Sequence, residues 1–139
     1  MMTDARPEAQ RYSVGIDVGG TNIEAVLVGP GAEILNHRRV GARKGADRVV
    51  RDVAGLVHAV AAQRYASVHS VGIGIPGRVD AAAGVVRNVV NLDIEQVELA
   101  KAVAGLVDLP GRVDNDVNTA ALGASRVIEK ADTGVSVFL

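Results

Sequence analysis

After a polar leader at residues 1–12, the chain alternates short β-branched runs with glycine breaks. Val14-Gly15-Ile16-Asp17-Val18 predicts a strand that stops at Gly19-Gly20, and Ile23 to Val28 predicts a second. Gly29-Pro30-Gly31 is a turn before a third strand from Glu33 to Val40. Links this short join antiparallel strands, since a parallel pair needs a crossover of a dozen residues or more. The opening is therefore read as a β-meander.

Over residues 47–64 the period changes. Val49, Val50, Val53, Leu56, Val57 and Val60 recur at three- and four-residue steps, which predicts a helix with Asp47 as its N-cap. Ser70 to Ile75 predicts a fourth strand, ended by Pro76-Gly77 and followed by a loop region. A second helix is expected over 95–107, with Leu99, Val103, Leu106 and Val107 on its apolar face, stopped by Leu109-Pro110-Gly111. Arg112-Val113-Asp114 reads as a short strand, Asn118 to Val127 as an alanine-rich helix, and Gly134 to Leu139 as the start of another strand. A meander followed by β-α alternation predicts an α/β lobe built on one mixed sheet with crossover helices. The expected organisation is a leader at 1–12 and a single lobe at 13–139.

Composition narrows the function classes. Of 139 residues, 48% are hydrophobic and 22% charged, which is globular material. Aromatics make up 2%, with no Trp, so stacking platforms for bases are scarce. Fifteen basic against sixteen acidic residues leave a formal charge of −1 without a basic run, so no nucleic-acid partner is expected. There is no cysteine, and hence no disulfide or thiolate metal site within the chain. No window approaches the ~18 apolar residues of a membrane span, and no signal-peptide stretch opens the chain. The expected location is cytoplasmic, away from membranes.

Three polar constellations carry candidate chemistry. In Gly15-Ile16-Asp17-Val18-Gly19-Gly20-Thr21-Asn22, two adjacent glycines can adopt positive φ and carry no Cβ, so a phosphate can come close to backbone N–H groups. Thr21 and Asn22 add side-chain donors, and Asp17 could hold a hydrated Mg²⁺ near the same phosphates. An ordinary glycine hairpin beside a solvated Asp fits the same residues. The segment Val71-Gly72-Ile73-Gly74-Ile75-Pro76-Gly77-Arg78-Val79-Asp80 matches G-x-G-x-x-G. It is not read as a dinucleotide site, because Pro76-Gly77 and the extended residues after them cannot open the required helix. It is read as a strand running into a loop that lies close to a small ligand; packing alone would also explain Gly72 and Gly74.

In the third constellation, Val113 is followed by Asp114-Asn115-Asp116-Val117-Asn118, placing four polar residues among five at a strand–helix junction. Such junctions project side chains into the cleft at the carboxyl ends of the strands. Asp116 would accept a proton from a substrate hydroxyl, with Asn115 as a hydrogen-bonding partner. Either residue could instead cap the helix. His37, His58 and His69 lack metal-ligand spacing and are read as ordinary structural or surface histidines, and no P-loop or zinc-protease motif is present.

Taken in order, D-x-G-G-T, G-x-G-x-P-G-x-V-D and N-D-x-N-x-x-A-L-G over residues 13–124 resemble the ROK family of sugar kinases and sugar-responsive repressors. The resemblance implies the N-terminal lobe of an actin/hexokinase-like (ribonuclease H-like) fold, with ATP between two lobes and sugar at the base of the cleft. It implies that Asp17, Gly19, Gly20, Thr21 and Asn22 form the phosphate and Mg²⁺ loop, Asp17 being the residue nearest the metal. Gly77 and Arg78 would line the sugar floor with Asn91 nearby, and Asn115 and Asp116 would bind sugar, Asp116 as catalytic base. Many relatives carry Lys where this chain has Asn22, an aromatic near Asp93-Ile94-Glu95, and Glu where this chain has Ala124.

The expected activity is phosphoryl transfer from Mg·ATP to a hexose hydroxyl, in the manner of a glucokinase, by a parent that is a homo-oligomer. The alternative is a sugar-sensing transcription regulator of the same family. Its DNA-binding module would precede the first strand, where only twelve residues stand before Ser13. Because Val135 to Leu139 reads as a buried strand with nothing after it, the chain is expected to be the first part of a longer protein. On that reading the adenosine turn, His/Glu sugar ligands and zinc cluster implied by the resemblance lie in a second lobe, and the isolated piece is inactive.

Overall fold

A computed structural model describes residues 11–115. The element order is β1 (Tyr12–Val18), β2 (Asn22–Val28), β3 (Ile34–Gly41), α1 (Ala46–Ala61), β4 (Val68–Gly74), β5 (Arg78–Asp80), β6 (Val85–Val89), β7 (Ile94–Val97), α2 (Leu99–Val107) and β8 (Gly111–Asp114). The expected helix at 118–127, the strand at 134–139 and Asp116 lie outside the described residues, as do positions 1–10 of the leader.

The meander forms as the short links require: β1 pairs antiparallel with β2, and β2 with β3. The chain then crosses through α1 to β4, which pairs parallel with β1, and through α2 to β8, parallel with β4. The result is a mixed five-stranded sheet in the order β3-β2-β1-β4-β8. Alternation along the strands separates its two faces. Val14, Ile16 and Val18 on β1, Val71 and Ile73 on β4 and Val113 on β8 are buried in one cluster with the apolar stripes of α1 and α2. Each fully buried Val, Leu or Ile side chain in such a layer contributes about 1.5–3 kcal/mol by removing apolar surface from water. Ser13, Gly15, Ser70 and Gly72 face the other way, paired Ser13 to Ser70 and Gly15 to Gly72.

Three local expectations are corrected. The predicted helix over 47–64 is α1 followed by a 3-10 turn at Ala62–Ser67, and its N-cap is Gly45, with Asp47 in the first turn. The Tyr65 hydroxyl in that 3-10 turn donates to the Val107 carbonyl at the end of α2. The predicted helix over 95–107 starts only at Leu99. Before it, Ile94–Val97 is strand β7, because β-branched Ile94 and Val97 pair with Val89 and Val86 of β6. Leu99, Val103 and Val107 are buried on one row of α2, whereas Leu106 falls off that row and is 54% exposed. Finally, the region after Gly77 is a second, three-stranded antiparallel sheet in the order β5-β6-β7. Val86, Val89, Leu92 and Ile94 attach it to the main core.

Candidate functional site

Strands β1, β4 and β8 run parallel, so their carboxyl ends share one edge of the sheet. Asp17 lies there, opposite Gly74 of β4, and Gly74 lies opposite Asp114 of β8. Two carboxylates thus occupy one row on one face, separated by a residue with no side chain. At strand spacing their Cα atoms stand about 10 Å apart. Asp17 is half-buried. Mg²⁺ keeps several waters and takes one or two carboxylates besides phosphate oxygens, so this sparse acidic edge suits a phosphate-borne ion better than an all-protein cage. Among the described residues no group of three or more His, Cys, Asp or Glu could hold a metal ion.

The β1–β2 hairpin closes immediately beyond Asp17, with Gly19 N donating to Asn22 O at 2.9 Å. Neither Gly19 nor Gly20 adopts positive φ, contrary to the expectation from sequence. What the turn uses is the missing Cβ. A Cβ on Gly19 would lie 3.1 Å from Asn22 O, and one on Gly20 would lie 3.3 Å from Asn91 Cβ and 3.5 Å from its Nδ2. Gly20, Thr21 and Asn22 are exposed. Asn91, 71 positions away in sequence from Gly20, is therefore packed against the turn, and the first constellation and the distant Asn-Leu pair meet.

The second constellation leaves β4 through Ile75-Pro76-Gly77. Here positive φ is required: Gly77 has φ +103°, and a Cβ would sit 2.7 Å from Arg87 O and 2.9 Å from Val89 Cγ2. Ile75 N donates to Asp114 O at 2.9 Å, which holds this exit against β8. Asn115 completes the junction, its Nδ2 donating to Gly77 O at 2.7 Å and Ile75 O at 3.3 Å. Both acceptors are carbonyls, so the amide must present its nitrogen to the loop. Asn115 is thus a clasp between the second and third constellations, and a ligand would meet its oxygen. Its backbone N–H is taken by Asp114 Oδ1 at 2.7 Å. Arg78 begins β5, exposed and opposite Arg87, whose Nε donates to Gln96 Oε1 at 3.0 Å.

Asp80 is a turn residue: its Oδ1 accepts from Ala83 N at 3.1 Å and its carbonyl from Gly84 N at 2.8 Å. The histidines are scattered. His37 Nε2 meets Glu24 Oε1 at 3.3 Å, His58 stacks on Tyr65 with centroids 4.5 Å apart, and His69 Nδ1 lies 2.8 Å from Tyr12 O.

One feature of the site was not anticipated from sequence. The link between β3 and α1 touches both the hairpin and the Asn91 turn: Ala42 N donates to Thr21 O at 2.8 Å, and Gly45 N to Leu92 O at 2.7 Å. Arg43 holds this link to α1 through a two-pronged pair with Asp52 at 2.9 and 2.7 Å. The hydrogen bond to Asp52, with its charge, raises the Arg43 pKa above its ordinary value. The sequence signal was Gly41-Ala42-Arg43-Lys44-Gly45, with a second glycine just before an amphipathic helix.

Known proteins resemble the chain in sequence and in fold. The model of the ROK family matches residues 13–139. A glucokinase from Streptomyces coelicolor is 33% identical over 111 residues, covering 80% of this chain and 34% of the glucokinase. A xylose repressor from Caldicellulosiruptor bescii is 29% identical over 115 residues, covering 79% of this chain and 29% of the repressor. The crystal structure of a ROK family glucokinase from Streptomyces griseus, in complex with glucose and AMPPNP, superposes with a TM-score of 0.71 at 33% identity. It covers 81% of this chain and 35% of that one. The chain spans about a third of the length of the glucokinases it matches.

Proposed function

The chain belongs to the ROK family, and from that membership we propose that it forms the sugar- and phosphate-facing lobe of an ATP-dependent hexose kinase of the glucokinase type. The observation that carries the reading is convergence. The Gly19–Asn22 turn follows β1 at the carboxyl edge where β4 runs out toward the Asn115–Gly77 clasp and β8 ends, and Asn91 stands so near the turn that a Cβ on Gly20 would crowd it. The similar Streptomyces griseus glucokinase was crystallised with glucose and AMPPNP, a ligand pair that such an edge suits.

In this reading Mg·ATP, when bound, supplies the phosphoryl group and much of the charge neutralisation. The chain's own residues do the positioning. The exposed backbone of Gly20 and Thr21, in the turn that the Gly19 N–H closes on Asn22 O, would face the phosphates together with the Thr21 and Asn22 side chains, and Asp17 would hold the hydrated ion. Asn91 and the oxygen of Asn115 orient the hexose, with Gly77 and Arg78 at its floor. Asp116, outside the described residues, follows Asn115 and accepts the hydroxyl proton as the new bond to phosphorus forms. A sugar hydroxyl is a weak acid, so the proton moves in the transition state, an effect of about 10²–10⁴ in rate.

The reading carries with it a cytoplasmic, homo-oligomeric parent. Among the described residues no helix is long and apolar enough to cross a membrane. Repressor relatives support a second reading, a sugar-responsive regulator.

A coupled ADP-release assay of the full-length protein against a panel of hexoses separates the two. Hexose-dependent ADP release is expected, with Asp116→Asn lowering kcat by about 10² or more. Undiminished turnover in that variant would refute the base. No turnover with any hexose, together with tight and salt-sensitive operator binding, would give the function to the regulator.

A further inference from the structure

We propose that the link Ala42–Gly45 is a brace that sets the separation between the phosphate-facing hairpin and the Asn91 turn, and that Gly45 and Arg43 are positioning residues for transfer. The inference rests on the kinase reading above and deepens it.

Asn91 stands so near Gly20 that a Cβ there would lie 3.3 Å from the Asn91 Cβ, yet among the described residues no backbone hydrogen bond joins the two turns directly. Contact alone limits approach and leaves separation free. Separation is set from behind. Ala42 N is bonded to Thr21 O within the hairpin, and Gly45 N to Leu92 O, the residue after Asn91. Three residues of chain therefore connect the two turns.

The brace is itself anchored at both ends. On one side Gly41 pairs with Asn22 as the last rung of the β2–β3 ladder. On the other, Gly45 is the N-cap of α1, and its carbonyl accepts from Val49 N at 3.0 Å. Between them the Arg43–Asp52 pair fastens the link to the first turns of α1, and Asp52 is the less exposed partner, at 17% against 53%. A planar guanidinium bonded through two nitrogens to both carboxylate oxygens fixes direction as well as distance.

Gly45 has φ 107° and ψ 137°. That backbone state is essentially confined to glycine, and it aims the N–H at Leu92 O while the carbonyl starts the helix. A Cβ at Gly45 would meet nothing within 4 Å. Gly45→Ala therefore removes no packing and meets no neighbouring group; its strain lies in its own φ, which an alanine relieves by turning the backbone away from Leu92 O. The strained φ also lowers stability, so Tm is read beside the kinetics and the Arg43 variants separate the two effects. A shift of about 1 Å between reacting groups costs about 100-fold in rate, and Asn91 and the hairpin hold the two reacting partners.

The test is steady-state kinetics of the full-length protein with Gly45→Ala, Arg43→Ala and the exchanged pair Arg43→Asp with Asp52→Arg. Gly45→Ala should lower kcat about 10- to 100-fold, more than it raises either KM, and Arg43→Ala should act in the same direction. The exchanged pair should recover part of the Arg43→Ala loss. Values of kcat and KM equal to wild type, whatever happens to Tm, would overturn the brace. So would equal losses in Arg43→Ala and the exchanged pair.

Failure of the kinase reading shows itself differently, as absence of turnover in the wild type. The brace is then judged by amide hydrogen exchange with hexose added to saturation. Protection at 19–22 in the wild type that vanishes in Gly45→Ala supports it. A hairpin that responds equally in both proteins, or in neither, refutes it.

Discussion

Replacing Gly77 by alanine should destabilise the chain by an amount that can be worked from its surroundings. The residue holds φ +103°, a region where a side chain costs about 1–3 kcal/mol. The new methyl would also lie 2.7 Å from Arg87 O and 2.9 Å from Val89 Cγ2, closer than van der Waals contact. Arg87 pairs with Arg78 in the β5–β6 ladder, and Val89 is buried, so neither can swing aside. Overpacking of this kind costs about 1–3 kcal/mol. Together the two amount to about 2–6 kcal/mol.

Gly55→Ala is the matched control. Gly55 is exposed in the middle of α1, and a Cβ there would meet nothing within 4 Å. The same chemical change should stabilise at that position by about 0.5–1 kcal/mol, through the lost flexibility of the unfolded chain and better helix propensity. Urea unfolding followed by circular dichroism gives both values. Amide exchange over residues 78–97 reports whether the loss at Gly77 stays within the small sheet. Stability within about 0.5 kcal/mol of wild type, with unchanged exchange over 78–97, would refute the reasoning, because it would mean that the positive φ and the close carbonyl impose nothing.

Other expectations follow from the same site and core. Asn115→Ala should raise the hexose KM by tenfold or more, and Asn115→Asp should be worse, because a carboxylate would face Ile75 O and Gly77 O where an amide donates; kinetics on both variants in the full-length protein decide the order. Burial, with a smaller effect of nearby Asp108, raises the Tyr65 pKa above 10.0. The neutral phenol is thus the form the fold favours, its stabilisation is complete below pH 10.0, and it is lost as pH rises through the raised folded value. Unfolding free energy measured on the alkaline side should fall with pH in the wild type and less steeply in Tyr65→Phe.

How much of this was legible in the chain differs from element to element. The meander could be read because its signals are local: Gly19-Gly20 and Gly29-Pro30-Gly31 break β-branched runs, and links so short allow only antiparallel pairing. The stripe of α1 was equally plain, since Val49, Val53, Val57 and Val60 mark a helical face whatever it packs against. The resemblance carried by the three motifs pointed to the ROK family, and the family match spans the same region.

Other features depend on partners far along the chain. Residues 94–97 form a strand and not helix because β6 is there to pair with Ile94 and Val97, and no window containing only their neighbours holds that information. Asp47 looked like the cap of α1. Gly45 takes the place because its N–H has an acceptor, Leu92 O, 47 positions away. The glycines of the first turn suggested unusual φ, and the structure uses their missing Cβ instead, against Asn91.

By itself, then, the sequence determined the strand and helix periodicity of most elements, the antiparallel opening and the motifs that mark the family. Only the tertiary structure decided that the hairpin faces the Asn91 turn, that Asn115 clasps the Gly77 exit, and that Ala42–Gly45 ties the hairpin to the Asn91 turn. The physical reason is range. Turn chemistry and periodicity are set by residues a few positions apart. The clasp from Asn115 to Gly77 and the bond from Gly45 to Leu92 exist only after the sheet has brought the distant carbonyls within hydrogen-bond distance.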